Sequence, residues 1–418
     1  MGNLRGFLRS YHFGAVSLFV MLHVAVVAAF FVPFRLSLLV WLLATVESSR
    51  GPLAVDTGFI VHNDRTYPNL VRLFHELGVD TQPSDMSFAV ACQHSGYEYS
   101  SRGLNGFYAQ RANLVRLDQH RLLREILRFN REAPRLLNHP AAAGMTLGDV
   151  MEHGRYAPMF AERYLYPMAS AVWSMSGEAI RRFPALTLLR FFANHGMLGI
   201  NTHPKWKVVR GGSSNYIPPL TAPYQERIHT GVDMQSVVRR EAGVTLRFRD
   251  RPPMCFDQVV FSCHGDQILP LLEAPSDSER DILSRFTTSR NEVCLHTDSR
   301  LLPKRPQARA SWNYRLSPNR GAGATLTYHM NRLQSLHVPE DYCVTLNANG
   351  SIDPAKVLRR MVYHHPIYDS GAVEAQARWS DISGRNRTHF CGAYWFYGFH
   401  EDGLNSALRV ARALEVEC

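Results

Sequence analysis

The stretch CGAYWFYGFHEDGLNSALRVARAL fills residues 391–414 and places two adjacent acids, Glu401 and Asp402, among glycines and aromatic residues. The residues that follow have the apolar spacing of one face of an α-helix: Leu404, Ala407, Leu408, Ala411 and Leu414. The N–H groups in the first turn of such a helix carry partial positive charge, which suits a phosphate or an electron-rich ring oxygen. The stretch therefore predicts either a ligand-binding helix start or a plain helix whose acids complement the dipole.

Composition limits the classes of protein to which the chain can belong. Of its 418 residues, 45% are hydrophobic, which is enough for a large core and excludes a largely disordered protein. The net charge of +10 is not gathered into a lysine and arginine run, so no nucleic-acid partner is expected. Seven cysteines without a CxxC pair predict neither a metal site nor a disulfide framework, and they fit a reducing compartment.

Residues 15–46 form an almost wholly apolar segment that is interrupted by Pro33 and Arg35. About 20 apolar residues are enough to span a membrane, so the segment predicts either one span that ends near the proline or a hairpin that enters and returns. Arg5 and Arg9 favour a cytoplasmic N-terminus. We therefore expect attachment to the inner membrane, with the globular part in the cytoplasm. A buried pair of core helices is the alternative.

The rest of the chain has the pattern of an α/β protein. Residues 67–78 and 113–130 have helical periodicity, and residues 87–101 alternate as in a β-hairpin. The apolar face of the second helix is expected to consist of Leu114, Leu117, Leu123 and Leu127. Helices and strands then interleave without a clean boundary, which indicates two domains that exchange the chain more than once.

Two further motifs contain glycines at turns. PLAVDTGFIVHNDRTYPNL places Asp56, Thr57 and Gly58 after a strand, and VVRGGSSNYIPPL places Gly211 and Gly212 before a helix. With RFFANHGMLGIN, FDQVVFSCH and the opening stretch, this ordered set resembles the flavin-containing amine oxidase superfamily, which includes protoporphyrinogen oxidase and phytoene desaturase. Within it, the sequence is most similar to bacterial proteins described as predicted NAD/FAD-binding oxidoreductases.

This resemblance covers the chain from about residue 45 onward and implies a fold with two interleaved domains. The first would be a three-layer FAD-binding domain made of residues 47–85, 207–285 and 386–418. The second would be an α+β substrate domain made of residues 86–206 and 286–385, with the hydrophobic segment 1–46 ahead of both.

The resemblance also implies which residues approach the FAD that lies between the domains. The loop at residues 401–404 would approach the flavin ring and the pyrophosphate, Val232 the adenine, and Gly211 and Gly212 the isoalloxazine. The complete set of implied cofactor contacts is Asp56, Thr57, Gly58, Gly211, Gly212, Val232, Gly392, Glu401, Asp402, Gly403 and Leu404.

The beginning of the chain departs from the family pattern. The family starts with a strand, a GxGxxG turn and a helix, whose glycines let the backbone meet the pyrophosphate. Here the membrane-like segment stands in that place and weakly resembles the N-terminus of a fatty acyl desaturase, without the histidine boxes of a di-iron site. Three explanations remain open: a natural variant, a non-catalytic remnant of the fold, or a reading frame joined to a different start.

The resemblance and the residue types together predict an FAD-dependent oxidoreductase that acts on an apolar, lipid-like or amine substrate. His400, beside the two acids, is the candidate general base, and Trp395 and Tyr397 are the candidate substrate-pocket residues. No lysine stands where amine oxidases place one near the flavin. The alternative function is that of a non-catalytic or truncated, membrane-attached remnant that binds a lipid or a partner.

Overall fold

The structure, a computed structural model, describes residues 43–414 apart from residues 93, 176–177, 200–201, 317–324 and 349. Its strands are β1 Leu43–Ser48, β2 Gly51–Asp56, β3 His62–Asn63, β4 Thr81–Pro83, β5 Phe88–Cys92, β6 Tyr97–Ser100, β7 Trp206–Val209, β8 Met234–Arg240, β9 Gly243–Phe248, β10 Met254–Phe256, β11 Val259–Phe261, β12 Thr288–His296, β13 Trp312–Leu316, β14 Thr325–His329, β15 Cys343–Leu346, β16 Val357–Pro366 and β17 Thr388–Phe390. Its helices are α1 Pro68–Glu76, α2 Gly103–Phe107, α3 Leu117–Leu137, α4 Leu147–His153, α5 Pro158–Phe160, α6 Tyr166–Trp173, α7 Glu178–Arg181, α8 Ala185–Asn194, α9 Ile217–Thr221, α10 Asp277–Leu283, α11 Met330–Leu333, α12 Ser370–Ala377, α13 Trp379–Ile382 and α14 His400–Ala413. Helices and strands alternate along the chain, which confirms the α/β prediction.

The largest sheet has the strand order β16-β12-β15-β14-β13-β5-β6. Neighbouring strands pair antiparallel except for β13 and β5, which run parallel. The longest ladder joins β12 to β16 and begins with Thr288 opposite Pro366. All of these strands lie within residues 88–100 and 288–366, inside the segments predicted for the substrate domain. The domain boundaries themselves stay a prediction.

The hairpin of β1 and β2 changes the bounds of the apolar N-terminal segment. Ala44 lies opposite Val55, and both side chains are buried in a core shared with the large sheet. Residues 43–46, predicted as the end of the membrane-like segment, therefore belong to a strand. The remainder of that prediction, residues 15–42, lies outside the described residues. Among the described residues, no helix has the length and apolar character that crossing a membrane requires.

Two local predictions agree with the structure. α1 buries Leu70, Leu73 and Phe74 on one face, and Gly78 follows its end with a φ of +65°. β5 and β6 form the expected antiparallel hairpin. Both patterns are decided by neighbours in sequence, so their periodicity was sufficient to identify them.

A helical layer packs on β5. Phe129 of α3, Phe160 of α5 and Leu188 of α8 are fully buried in one core with Phe88 and Val90. Large apolar side chains that are removed from water in this way contribute about 1.5–3 kcal/mol each. α3 also contacts α8 directly, so the two helices share this core.

α3 buries a different face from the one that the sequence pattern indicates. It begins at Leu117, because residues 111–114 form a separate 3-10 turn. The residues buried along it are Gln119, Leu122, Glu125, Phe129 and Ala133. Leu114, Leu117 and Leu127, three of the four leucines predicted to face the core, are 51%, 84% and 44% exposed. The helix is turned so that its larger aromatic side chain packs inward, and the predicted face was wrong.

β11 and β17 form a two-stranded parallel sheet with Val259 opposite Thr388. Because parallel strands end at the same edge, His264 and Gly392 follow these strands on the same side of the molecule. α14 comes after β17, and the meander of β8, β9 and β10 contributes to the same core. Ligands of α/β proteins bind beyond such a carboxyl edge, so this edge positions the candidate site.

Candidate functional site

The first turn of α14 contains the acids on which the sequence prediction rests. Phe399 is the N-cap residue and His400 the first helical residue, so residues 401–403 lie inside the helix and not ahead of it. The N–H of Gly403 donates to the Phe399 carbonyl at 3.0 Å, as in a regular helix. A Cβ atom on Gly403 would lie 4.0 Å from Ala393, which is an ordinary contact distance. No contact within the described chain requires a glycine here.

Glu401 caps a neighbouring helix. Its buried carboxylate accepts hydrogen bonds from the backbone N–H of Asn69 at 3.0 Å and of Leu70 at 2.9 Å, and from the Asn69 amide at 2.8 Å. These donors belong to the first turn of α1, where negative charge is favourable. Because the Glu401 carboxylate is directed at α1, only the backbone of Glu401 is left to make the predicted contact with the cofactor.

Asp402 fixes the loop that precedes α14. One of its carboxylate oxygens accepts a hydrogen bond from the N–H of Phe399 at 2.9 Å. Burial raises the pKa of this carboxyl from 3.8 to about 6, although N–H donors of Phe399 and Tyr397 act in the opposite direction. Asp402 is therefore mostly ionised at pH 7 and mostly protonated at pH 5.

Asp56 joins the two glycine motifs. Its Oδ1 accepts hydrogen bonds from the N–H of Ser213 at 2.8 Å and from the Ser213 hydroxyl at 2.7 Å. Its Oδ2 accepts from the amide of Gln334 at 3.0 Å. Gly211 and Gly212, with φ of +76° and +104°, form the turn just before Ser213. The fully buried Asp56 carboxylate thus holds this turn at the end of β2, and burial raises its pKa to about 6.

The residues after Asp56 lie at the same junction. Thr57 is buried, and its hydroxyl is 2.7 Å from the hydroxyl of Tyr363. Gly58 is exposed, so its backbone is open to a ligand. The structure thus brings the sequence motifs around residues 56–58 and 211–213 together, as the resemblance implies.

His400 connects α14 to this junction. Its ring stacks on Phe59 with centroids 3.7 Å apart, and its Nε2 is 3.5 Å from the hydroxyl of Tyr216. Burial, with a smaller contribution from His62, lowers the pKa of His400 to about 4. The imidazole is therefore neutral at pH 7 and a weak base. Its role as the general base stays a prediction.

An open cavity of about 640 Å³ lies beside the first turn of α14. It is bounded by residues 65–69 at the start of α1, by residues 191 and 193–195 at the end of α8, and by residues 396–397, 399, 401–402 and 405. Its aromatic lining consists of Tyr67, Phe191, Phe396, Tyr397 and Phe399. The rings of Phe191 and Phe399 stack with centroids 5.2 Å apart. We refer to this cavity as the aromatic pocket.

The two predicted pocket residues lie in different places. Tyr397 lines the aromatic pocket, and its carbonyl accepts a hydrogen bond from the indole of Trp173 at 3.3 Å. Trp395 is only 2% exposed and packs edge-on against Phe286 in the core around β11 and β17, with centroids 4.7 Å apart. Trp395 therefore belongs to the buried core, whereas Tyr397 lines the aromatic pocket.

His195 lines the aromatic pocket, and sequence reasoning did not single it out. Its Nδ1 lies 2.9 Å from the carbonyl of Phe191, so Nδ1 carries the proton and Nε2 the free lone pair. Burial lowers the pKa of His195 to about 4. The motif RFFANHG contains this histidine, but only the placement of α8 against α14 brings it to the pocket.

Buried polar atoms without partners mark the carboxyl edge of β11 and β17. Among the described residues, Nδ1 of His264 and the hydroxyl of Tyr368 have no hydrogen-bond partner, and both residues line one small cavity. At Gly398, whose φ is +96°, a Cβ atom would come within 2.6 Å of that hydroxyl. Such orphaned atoms are uncommon in folded proteins, and a bound water, ion or ligand can satisfy them.

The remaining predicted cofactor residues surround this edge. Gly392 follows β17 with a φ of +148°, its N–H donates to the Ser406 hydroxyl at 2.9 Å, and a Cβ atom there would come within 2.5 Å of Tyr394. Val232 is buried just ahead of β8. Leu404 packs on the core of α1 and α14. Nothing in the structure tests their cofactor contacts, which stay predictions.

The family comparison decides the identity of this arrangement. The model of the family described as flavin containing amine oxidoreductase matches residues 43–335, which is more than half of the chain. The chain belongs to this flavin-containing family. FAD is accordingly its cofactor, and the protein is an FAD-dependent oxidoreductase.

Solved structures of very low sequence identity share the fold of this flavin-containing oxidoreductase. A putrescine oxidase variant superimposes with a TM-score of 0.62 at 11% identity, over 90% of each chain. Cyclohexylamine oxidase from Brevibacterium oxydans IH-35A gives 0.59 at 12% identity, over 89% of this chain and 91% of that one. A fatty acid isomerase from P. acnes that produces CLA gives 0.59 at 12% identity, over 86% and 87%. No curated protein matches the sequence.

The described residues of this flavin-containing oxidoreductase fit FAD at the ring side of the cofactor. The first turn of α14 offers N–H donors, and His264 and Tyr368 offer unpaired buried polar atoms. At the junction held by Asp56, the exposed Gly58 and Gly211 leave backbone accessible. The sequence contains no GxGxxG turn for the pyrophosphate, so the contacts of that part of the cofactor are not assigned.

Proposed function

We propose that this FAD-dependent oxidoreductase acts on a substrate with a mainly apolar body, bound in the aromatic pocket. The observation that carries the proposal is the lining of that pocket by five aromatic residues beside α14. A volume of about 640 Å³ is typical of sites for small molecules, in which aromatic and apolar walls supply contact area and a few polar groups fix orientation. Polar groups also line the pocket, among them Arg65, Asn194, His195, Tyr397 and Asp402.

An amine with an apolar body is the second candidate substrate. Asp402 lines the pocket and is mostly ionised above its pKa of about 6, so its carboxylate attracts an ammonium group. The similarity to putrescine oxidase and cyclohexylamine oxidase supports an amine. The similarity to a fatty acid isomerase supports an uncharged or lipid-like substrate instead.

The protein side of the proposed reaction is proton transfer and exclusion of water. FAD supplies the acceptor for the hydride that is removed from the substrate. His195, neutral at pH 7 and with a free lone pair on Nε2, would accept a proton from a substrate in the pocket. The stacked rings of Phe191 and Phe399 would keep water away from the reacting carbon.

Anaerobic flavin reduction tests this proposal. The purified protein is loaded with FAD and mixed, in the absence of oxygen, with pairs of compounds that share an apolar body and differ by an amine. We expect bleaching of the flavin absorbance to increase with the apolar size of the compound. A requirement for the amine would select the second candidate.

Matched variants connect the result to the aromatic pocket. Phe399→Ala should weaken reduction by the apolar compounds, whereas Leu358→Ala, on the exposed surface of β16, should not. Flavin that is bound in full but reduced by neither series would overturn the substrate proposal. A protein that stays colourless in excess FAD would instead support the non-catalytic remnant that binds a lipid or a partner.

A further inference from the structure

Exposed aliphatic side chains are concentrated at one place on the described surface. Seven large apolar residues are exposed among the described residues, and four of them fall within residues 104–117. These four are Leu104, Leu114, Val115 and Leu117, with exposures of 69%, 51%, 84% and 84%. We call these four residues the apolar tip. Single exposed leucines are ordinary, but several in one short segment are typical of a surface that is covered by something else.

The apolar tip rests on a fixed scaffold. His120 of α3 bridges it, with Nδ1 3.0 Å from the Tyr108 hydroxyl and Nε2 2.8 Å from the Leu114 carbonyl. The buried Gln119 donates to the Phe107 carbonyl at 2.9 Å. These bonds tie α2, the 3-10 turn and the start of α3 together. The exposed side chains are therefore held outward by a hydrogen-bonded framework and are not on a frayed end.

Positive charge surrounds the apolar tip. Residues 102–124, which include the tip, contain five arginines against one acid, so this segment carries +4 of the +10 of the whole chain. Further along α3, Glu125 and Glu132 lie 3.5 Å and 3.0 Å from the guanidinium of Arg128. The exposed Arg116, Arg121 and Arg124 form no ion pair within the described part of the chain.

We propose that the apolar tip inserts into the interface of a membrane that contains anionic lipids. Aliphatic side chains gain free energy by leaving water for the acyl-chain boundary, and flanking arginines are attracted to the negative headgroups. The exposed residues of the tip include no aromatic ring, which disfavours stacking on nucleic-acid bases. The apolar tip is a different surface from the apolar segment at residues 15–46. The proposed membrane contact does not depend on which substrate the enzyme oxidises.

The apolar tip is connected to the aromatic pocket through the packing of two helices. α3, whose first residue belongs to the tip, packs on α8, and the end of α8 supplies Phe191 and His195 to the aromatic pocket. Docking through the tip would therefore attach to the membrane a helix that packs on the pocket-bearing α8.

Vesicle binding combined with amide hydrogen exchange tests the proposal. Full-length protein is mixed with vesicles of phosphatidylcholine alone, or with added phosphatidylglycerol, which is anionic. We expect sedimentation with the anionic vesicles only, weakening as salt is added, because headgroup attraction is screened. We also expect slower exchange in residues 103–121 on those vesicles. This local measurement is needed because residues 15–42 are themselves predicted to bind membranes.

A pair of matched variants makes the test specific. Val115→Asp combined with Leu117→Asp should abolish the slowing of exchange in residues 103–121 and weaken sedimentation about tenfold or more where the tip is the main contact. Leu358→Asp combined with Val362→Asp, on β16, should change neither. Protein that sediments with anionic vesicles while residues 103–121 exchange as fast as in solution would overturn the proposal. Equal binding to neutral vesicles, or the same slowing by DNA or polyglutamate without lipid, would also overturn it.

Discussion

Asp56 joins residues that are far apart in the chain, and none of the described cationic side chains pairs with its buried carboxylate. Its ordinary pKa of 3.8 is raised to about 6 because burial disfavours the charged form, although Ser213 donates to it. Between these two values the folded protein binds more protons at Asp56 than the unfolded chain does. The contribution of Asp56 to stability is therefore fully present below pH 4 and is lost as the pH rises through 6.

The variant Asp56→Asn tests the predicted direction in which stability changes with pH. The neutral amide does not titrate, so the free energy of unfolding of the wild type should fall relative to the variant by about 2 kcal/mol between pH 4 and pH 6.5. Urea unfolding at several pH values measures the difference. Asp80→Asn, at an exposed position, is the control and should give a constant offset. A difference that grows in favour of the wild type as the pH rises would contradict the burial argument.

Two histidines compete for the role of proton acceptor. His195 lines the aromatic pocket, whereas His400 stacks on Phe59 and is not part of the lining. We expect His195→Ala to lower turnover by about 100-fold and His400→Ala to have a smaller effect. With a pKa of about 4 for His195, its protonation should leave turnover unchanged above pH 5 and lower it as the pH drops through 4. Steady-state kinetics of the FAD-loaded protein measure both, and the reverse order of losses would restore His400 as the base.

At the scale of elements, the contact between α14 and α1 depends on Glu401. Removing its carboxylate leaves the N–H groups of Asn69 and Leu70 without acceptors at a buried helix start. We expect Glu401→Ala to lower the free energy of unfolding by about 2 kcal/mol and Glu401→Gln, which keeps one acceptor oxygen, by about half as much. Chemical denaturation measures these values, with the exposed Glu226→Ala as control. An effect no larger than that of the control would show that water replaces the cap.

Substitutions of Gly403 test whether this residue is only part of a helix or also contacts the cofactor. Its geometry is helical and a Cβ atom there meets nothing closer than 4.0 Å, so Gly403→Ala should raise the free energy of unfolding of the apoprotein by about 0.5–1 kcal/mol. Gly403→Val adds a branched side chain at the same place. If the backbone meets the cofactor there, the valine variant stays folded and loses flavin, measured as flavin absorbance per protein. Full flavin occupancy in the valine variant would make residue 403 an ordinary part of α14.

The sequence was informative where structure depends on near neighbours. The helix of α1, the β5–β6 hairpin and the turn at Gly211 follow from periodicity and glycine placement. The exposed face of α3, the cap formed by Glu401 and the position of His195 depend on partners far away in the chain. No local pattern specifies which apolar stripe is buried or which helix an acid faces, so those features could not be read from one sequence.

At the scale of the whole molecule, cofactor binding and folding should be coupled. A ligand that binds only the folded protein stabilises it by about 2.7 kcal/mol when present at 100 times its dissociation constant. We therefore expect FAD to raise the melting temperature in proportion to the logarithm of its concentration, and ATP, as a control nucleotide, to have little effect. An unchanged melting temperature in protein that nevertheless takes up FAD would mean that the unfolded chain binds it equally well.

The parallel pairing of β11 with β17 has a consequence for how the protein is made. The two strands lie about 130 residues apart in the chain, and β17 follows every strand of the large sheet. A ribosome releases the second strand only after the large sheet and its helices have been synthesised. The edge that the resemblance assigns to the flavin is thus completed only after the large sheet, and a growing chain that has not yet reached β17 presents no finished cofactor site.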